Sequence, residues 1–374
     1  MSDALHYDVA IAGGGLVGSS AALALARRGL RVGLFERRYC GAQASGVNYG
    51  GVRCQGRPAE QMPLAMRARR IWDRLPELIG IDGEFTVSGH LRLARSEGDL
   101  VALQAWADMA RGHGLHAQLI SGAAFRQRYP WLGAAAIGGS LCATDGHANP
   151  RLVSPAFARA ARAAGADVRE QTELTDIHHD GTRFQLRAGA TRMSADWLIN
   201  SAGAWANTVA GYFGETVPMK PIYPNLWVTE PLPLFITHNL GVYGGGIYAR
   251  QVARGNCVIG GGRGSGDGEY GQPSTETTRA VMRDACALLP ALREALLIRT
   301  WSGVEGETPD GNPIIGASRT VPRLLHAFGF SGGGFLLAPG VGEVLADLVI
   351  DGATATPLDA FSINRFAAVA SPVA

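Results

Sequence analysis

Residues 7–18, Tyr7-Asp8-Val9-Ala10-Ile11-Ala12-Gly13-Gly14-Gly15-Leu16-Val17-Gly18, decide the fold of this chain. They read as an apolar strand, a glycine turn and the start of a helix. Gly13, Gly15 and Gly18 fill the pattern G-x-G-x-x-G. The first glycine permits the tight turn, the second lets a pyrophosphate approach the backbone, and the third lets helix and strand pack closely. The phosphates would sit on the helix N-terminus, at Leu16 and Val17, where free N–H groups and the macrodipole favour negative charge. The context agrees: Ser19–Arg28 is rich in Ala and Leu, Gly29 stops it, and Leu30–Phe35 reads as a second strand. Glu36 ends that strand, about 20 residues past the glycines, where an acidic side chain can accept both hydroxyls of an adenosine ribose.

Outward from this unit, 374 residues suffice for one large domain or two interleaved ones. The net charge of +2 gives no general attraction to nucleic acid or anionic membrane. No run reaches the roughly 18 apolar residues of a spanning helix, and the start lacks a signal-peptide pattern; a cytoplasmic location is expected. The five cysteines, Cys40, Cys54, Cys142, Cys257 and Cys286, are widely spaced without a C-x-x-C pair, so they are expected to be reduced, with no metal site.

Further along, the small, polar stretch 37–53 reads as a loop that can run beside a cofactor. Met62, Met66, Ile71 and Trp72 mark a core-facing helix. Strands are expected at 87–94 and 137–143, and helices at 99–111, 121–129 and 151–164. His147, in a turn, is expected to be solvated. The strand 195–200 ends in Ser201-Ala202-Gly203, a turn that belongs beside the first glycine turn, because open parallel sheets bind ligands beyond strand carboxyl ends. Pro218, Pro221, Pro224, Pro231 and Pro233 break the next section into short strands of a mixed or antiparallel sheet. A helix spans 275–289. Leu324–Phe328 reads as a buried strand with His326 a satisfied core histidine. It feeds Gly329-Phe330-Ser331-Gly332-Gly333-Gly334, a second glycine-presented helix N-terminus able to stabilise negative charge.

The ordered set of the Gly13–Glu36 unit, Asp145-Gly146 before a helix, Asn200-Ser201-Ala202-Gly203-Ala204-Trp205, Thr308-Pro309-Asp310-Gly311 and Gly329–Gly334 resembles the FAD-dependent glycine oxidase/D-amino-acid oxidase superfamily. The loop Ala44-Ser45-Gly46-Val47-Asn48 and the last glycine turn look most like D-hydroxyproline dehydrogenases and sarcosine oxidase β-type subunits. The resemblance covers nearly the whole chain. It implies an α/β (α+β overall) fold: a Rossmann-type FAD-binding domain from 1–82, 145–215 and 300–374, with an inserted mixed or antiparallel-sheet substrate domain from 83–144 and 216–299. FAD, held noncovalently because residues 301–308 lack the cysteine by which monomeric sarcosine oxidases tether flavin, would place its adenosine at Glu36 and Arg37, with the Leu174 backbone at the adenine and Trp205 a further cofactor contact. Its pyrophosphate would lie at Gly13–Gly18 and Ser201–Gly203, with Ala202 between. Its ring would lie beside Ser45, Gly46 and Asn48, with Gly332, Gly333, Gly334, Phe335 and Leu336 over the pyrimidine end.

The implied reaction oxidises the Cα–N bond of a small amino acid or secondary amine to an imine by hydride transfer to flavin N5, D-proline-like substrates being favoured. Alternatives are a glycine/sarcosine-type oxidase producing hydrogen peroxide, or a flavin-bearing electron-transfer subunit of a hetero-oligomer; the electron acceptor is left open. Two departures matter. Glu305 and Gly332 stand where the family can place carboxylate-clamping arginines. Because a bidentate arginine best holds a carboxylate, Arg250 is the expected clamp, with Tyr248 and Tyr223 as hydroxyl partners and Arg53 as a second candidate. Alternatively Glu305 faces the substrate and selects a cationic amine.

Overall fold

The computed structural model describes residues 5–369; residues 1–4 and 370–374, at the ends of the expected cofactor domain, lie outside the described residues. Its first layer is an eight-stranded sheet. Ile314–Ala317, Leu324–Phe328, Thr191–Asn200, Leu5–Ala12, Val32–Phe35 and Asp167–Arg169 lie side by side in that order. All but the first pair run parallel. Phe184–Ala188 forms a hairpin with Thr191–Asn200. The register sets Ala12 beside Asn200, so the two turns that follow these strands emerge together.

One face is covered by the helices Leu16–Arg27, Met62–Trp72, Pro150–Ala163 and Gly334–Ile350, whose apolar residues form the larger core. Small residues set the spacing. A Cβ on Gly340 would stand 2.9 Å from the Ala68 Cβ, and one on Gly342 2.6 Å from the Ser20 carbonyl carbon. The last helix can cross the other two at near contact only with hydrogen at those positions.

The second sheet also has eight strands: Leu297–Ser302, Pro224–Pro231, Asn256–Arg263, Tyr248–Gln251, Asn239–Val242, His90–Ala94, Gly138–Cys142 and Gln118–Ser121. All neighbours are antiparallel except Asn239–Val242 with His90–Ala94. Its separate core packs Leu91, Leu93, Trp227, Ala249 and Ile259 against helix Thr275–Leu288. Period-2 alternation then turns His90, Arg92, Tyr248 and Arg250 to the opposite face.

Three local expectations change. The first helix begins at Leu16 rather than Ser19, its leading N–H accepted by Ser45 Oγ at 2.8 Å. The 37–53 stretch holds a helical turn, Ala44–Val47, and a short strand, Gly51–Val52. That strand pairs with Gly146–His147, so His147 is 9% exposed rather than solvated. Among the described residues no helix is long and apolar enough to cross a membrane.

Candidate functional site

Between the carboxyl edge of the parallel sheet and the second sheet lies a cavity of about 740 Å³. At one end the glycine turn is built as its sequence requires. Gly13 has φ +104°, and a Cβ there would stand 2.5 Å from the Ser201 carbonyl oxygen; one on Gly18 would collide with the Gly13 carbonyl. Ser201 donates its N–H to Ala12 O at 2.9 Å and its hydroxyl to Gly13 O at 3.0 Å, locking the two turns edge to edge. Glu36 accepts the N–H groups of Gly14 and Arg38, both at 2.8 Å, which fixes its carboxylate at the cavity wall. The Arg37 guanidinium stacks over Trp205, 4.2 Å from the ring centroid. Glu269, on the hairpin joining Ser265–Gly266 to Gly271–Gln272, pairs with Arg37 at 2.7 Å and Arg38 at 3.2 Å. An elongated cradle of glycines ending at a fixed carboxylate fits the adenosine and pyrophosphate of a dinucleotide.

The far end is polar. The Glu305 Oε2 is shut from solvent and has no hydrogen-bond partner among the described residues. Burial pushes the Glu305 carboxyl up to about 7; the Arg263 charge offsets part of the rise, Glu307 adds to it, and a hydrogen bond from the Gly332 N–H offsets a little more. A Cβ on Gly332 (φ +83°) would lie 3.7 Å from that Oε2, so the glycine leaves room beside the carboxylate. Tyr248 packs edge-on to Tyr49, ring centroids 4.7 Å apart. Arg53, Arg57, His90 and Arg92 complete this wall. The Arg57 Nη2 donates to the Gly333 carbonyl at 2.9 Å, so it braces the glycine turn that opens helix Gly334–Ile350.

Most residues singled out from sequence line this one cavity: Gly13, Gly15, Leu16, Val17, Glu36, Arg37, Ser45, Asn48, Arg53, Leu174, Ser201, Ala202, Gly203, Trp205, Tyr248, Glu305 and Gly332 to Leu336. Gly18 and Gly46 stand behind the wall, as packing glycines against the Gly13 and Gly41 carbonyls. Tyr223 does too; its hydroxyl accepts the Gly268 N–H at 2.8 Å. Arg250 is buried behind Tyr49, its Nε donating to the Tyr49 carbonyl at 2.9 Å and its Nη1 3.5 Å from His147 Nδ1. Burial and that cation hold the His147 imidazole down at about 3. His326 is the core histidine expected, 3.0 Å from Glu215. All five cysteines are free, and burial pushes the Cys40 and Cys142 thiols up to about 12. Sequence reasoning missed Tyr49, Arg57, His90 and Arg92. The signal for Arg92 is the alternation His90-Leu91-Arg92-Leu93, which gives the strand one polar face.

The family model described as FAD dependent oxidoreductase (DAO) matches residues 8–348. Glycine oxidase of Geobacillus kaustophilus (strain HTA426) is 29% identical, with 96% of this chain and 97% of that protein covered. Sarcosine oxidase subunit beta of Rhizobium meliloti (strain 1021) is 28% identical over 96% of this chain and 88% of its own length. The crystal structure of L-proline dehydrogenase from P. horikoshii superposes with a TM-score of 0.90 at 28% identity, covering 98% of this chain and 99% of that one.

Proposed function

We propose that this chain, which belongs to the DAO family of FAD-dependent oxidoreductases, oxidises an amino acid whose amine meets Glu305 and whose carboxylate meets Arg53. The coarser activity, FAD-dependent oxidation of a small amino acid or amine, is that of its family and relatives. The observation that carries the finer reading is the solvent-free, unpartnered Glu305 Oε2 in the same wall as Arg53, which makes no ion pair with a described carboxylate. A buried carboxylate oxygen without a hydrogen bond is costly, and an incoming ammonium supplies one.

The chemistry that FAD supplies when bound is two-electron acceptance from the substrate's Cα–H bond. Residues proposed to hold it are Gly13 to Val17 and Ser201 to Gly203 for the pyrophosphate, Glu36, Arg37 and Leu174 for the adenosine, and Ser45, Asn48 and Gly332 to Leu336 for the ring. Glu305 accepts a hydrogen bond from the substrate ammonium and takes its proton, leaving the nitrogen lone pair free to form the C=N bond; a group poised near neutral pH suits that transfer. Arg53 and the Tyr248 hydroxyl orient the carboxylate, and orientation is the protein's main contribution. Water hydrolyses the released imine. The two sheets and their separate cores support the division into a cofactor part and an inserted substrate part.

The test is anaerobic flavin bleaching of the purified chain by D-proline, D-hydroxyproline, sarcosine, glycine, neutral D-amino acids and carboxylate-free amines. Bleaching by carboxylate-bearing amines, slowed at least ~tenfold in Glu305→Gln, is expected. Bleaching by carboxylate-free amines alone would remove Arg53 from the reading. No bleaching by any of them would favour a flavin-bearing subunit that needs a partner, the second reading, which the likeness to a sarcosine oxidase subunit supports.

A further inference from the structure

The substrate end holds more positive charge than one amino-acid carboxylate needs. Arg53, Arg57 and Arg92 all line it, and none makes an ion pair with a carboxylate among the described residues. Arg53 and Arg92 converge: a Cβ on Gly56 would collide with Arg92 Nη1 and lie 3.4 Å from Arg53 Nη1. Arg57 stands behind this pair and adds its charge, its Nη2 donating to the Gly333 carbonyl at 2.9 Å and its Nη1 to Gln61 Oε1 at 3.2 Å. Arg92 comes from a different strand, with its guanidinium carbon 5.1 Å from the Tyr243 ring centroid. The carboxylate nearest in charge, Asp145, accepts the N–H groups of Cys54 at 2.8 Å and Gln55 at 2.9 Å rather than a guanidinium. Burial, then the charges of Arg53 and Arg92, push the neighbouring His90 ring well below the usual imidazole range. Burial first, then the charge of Arg53, pushes Arg57 down to about 9 and Arg92 to about 10, as expected of cations crowded without counter-ions.

We propose that Arg53, Arg57 and Arg92 form a subsite for two carboxylates, so that the substrate is an amino acid carrying a second carboxylate, on its side chain or on an N-substituent. The charges balance on this assignment. Asp145 offsets one guanidinium at a distance, and two substrate carboxylates match the other two. The guanidinium forks suit carboxylates geometrically. Glu305 lies on the other side of the Gly332-Gly333 dipeptide, so the amine end of such a substrate would be read separately from its anionic end. The assignment rests on the amino-acid-oxidising reading above and narrows it.

Two measurements on the flavin-loaded protein test it. In calorimetric titrations, succinate and glutarate should bind at least ~tenfold more tightly than butyrate. In anaerobic bleaching, aspartate, glutamate and N-carboxymethyl amino acids, each as both enantiomers where chiral, should outpace alanine and sarcosine by a similar ratio in kcat/KM. The faster class tells whether the second carboxylate belongs on the side chain or on nitrogen. Arg92→Leu should bring the dicarboxylate ratio close to one with flavin content retained, and Arg92→Lys should restore part of it. Equal binding of mono- and dicarboxylates by the wild-type protein overturns the subsite. So does loss of flavin in both Arg92 variants, which would assign the cluster to the cofactor. Tight dicarboxylate binding without bleaching by any amine would keep the subsite and overturn the oxidation reading, so the two failures are distinguishable.

Discussion

Arg250 is tied to the back of Tyr49: its Nε donates to the Tyr49 carbonyl at 2.9 Å, and its guanidinium carbon lies 5.6 Å from the Tyr49 ring centroid. The cation supports the cavity wall rather than facing the cavity. Arg250→Met should therefore lower stability by ~2 kcal/mol, the cost of an unsatisfied buried carbonyl and lost packing, as read by urea unfolding. The ratio of kcat/KM for carboxylate-bearing over carboxylate-free amines should stay as in the wild type. A collapse of that ratio would return the clamp to Arg250.

Glu305 should set a pH dependence. Its carboxyl is raised from 4.5 to about 7 in the folded chain by burial; around it stand Arg263, Glu307, Tyr248 and the Gly332 N–H. Because the folded value is the higher one, its contribution to stability is complete below about 4.5 and is lost as pH rises through about 7. Glu305→Gln should gain up to ~3 kcal/mol over the wild type at alkaline pH and nothing at acid pH, in denaturant titrations at each pH. The wild-type rate of anaerobic bleaching should rise through neutrality, and the Gln variant should lose that step.

The Glu215–His326 pair makes the opposite prediction. Burial alone would raise Glu215, but hydrogen bonds from His326, Ser318 and the Arg319 N–H overcome it and hold the carboxyl at about 2. This stabilisation is present above about 4.5 and is lost as pH falls through about 2. Glu215→Gln should cost ~2–4 kcal/mol at neutral pH, with the gap narrowing in acid. An equal gap at all pH values would mean that charge plays no part.

At the first turn, Gly13→Ala adds a methyl 2.5 Å from the Ser201 oxygen in a backbone conformation that L-residues avoid. The variant should weaken flavin retention at least ~100-fold, as the two turns proposed to share a pyrophosphate are pushed apart. The ratio of flavin to protein absorbance after gel filtration reads this directly, and an unchanged ratio would mean that the cofactor does not depend on this turn.

The cofactor end was legible because its signals are local. Gly13, Gly15 and Glu36 lie within 24 residues, and each has its own physical requirement. The pairing of the two strand-end turns followed from the rule that parallel sheets bind at their carboxyl ends. The substrate end was less legible because its wall joins elements distant in sequence: Arg92 and Tyr248 share a face only through sheet order, and Glu305 comes from a separate two-stranded pairing with Ile222. Arg250 shares a strand face with Tyr248, and alternation alone could not show that the Tyr49 loop covers it. His147 read as a solvated turn residue because its bridge to Thr86 and its pairing with Gly51 are long-range.

The salt link from Glu269 to Arg37 and Arg38 joins the small hairpin 265–272 to the loop after strand Val32–Phe35. Half-exposed charges of this kind add little to equilibrium stability, and salt screens them. Their expected consequence is kinetic: flavin release from the loaded protein should quicken with ionic strength more than its affinity falls.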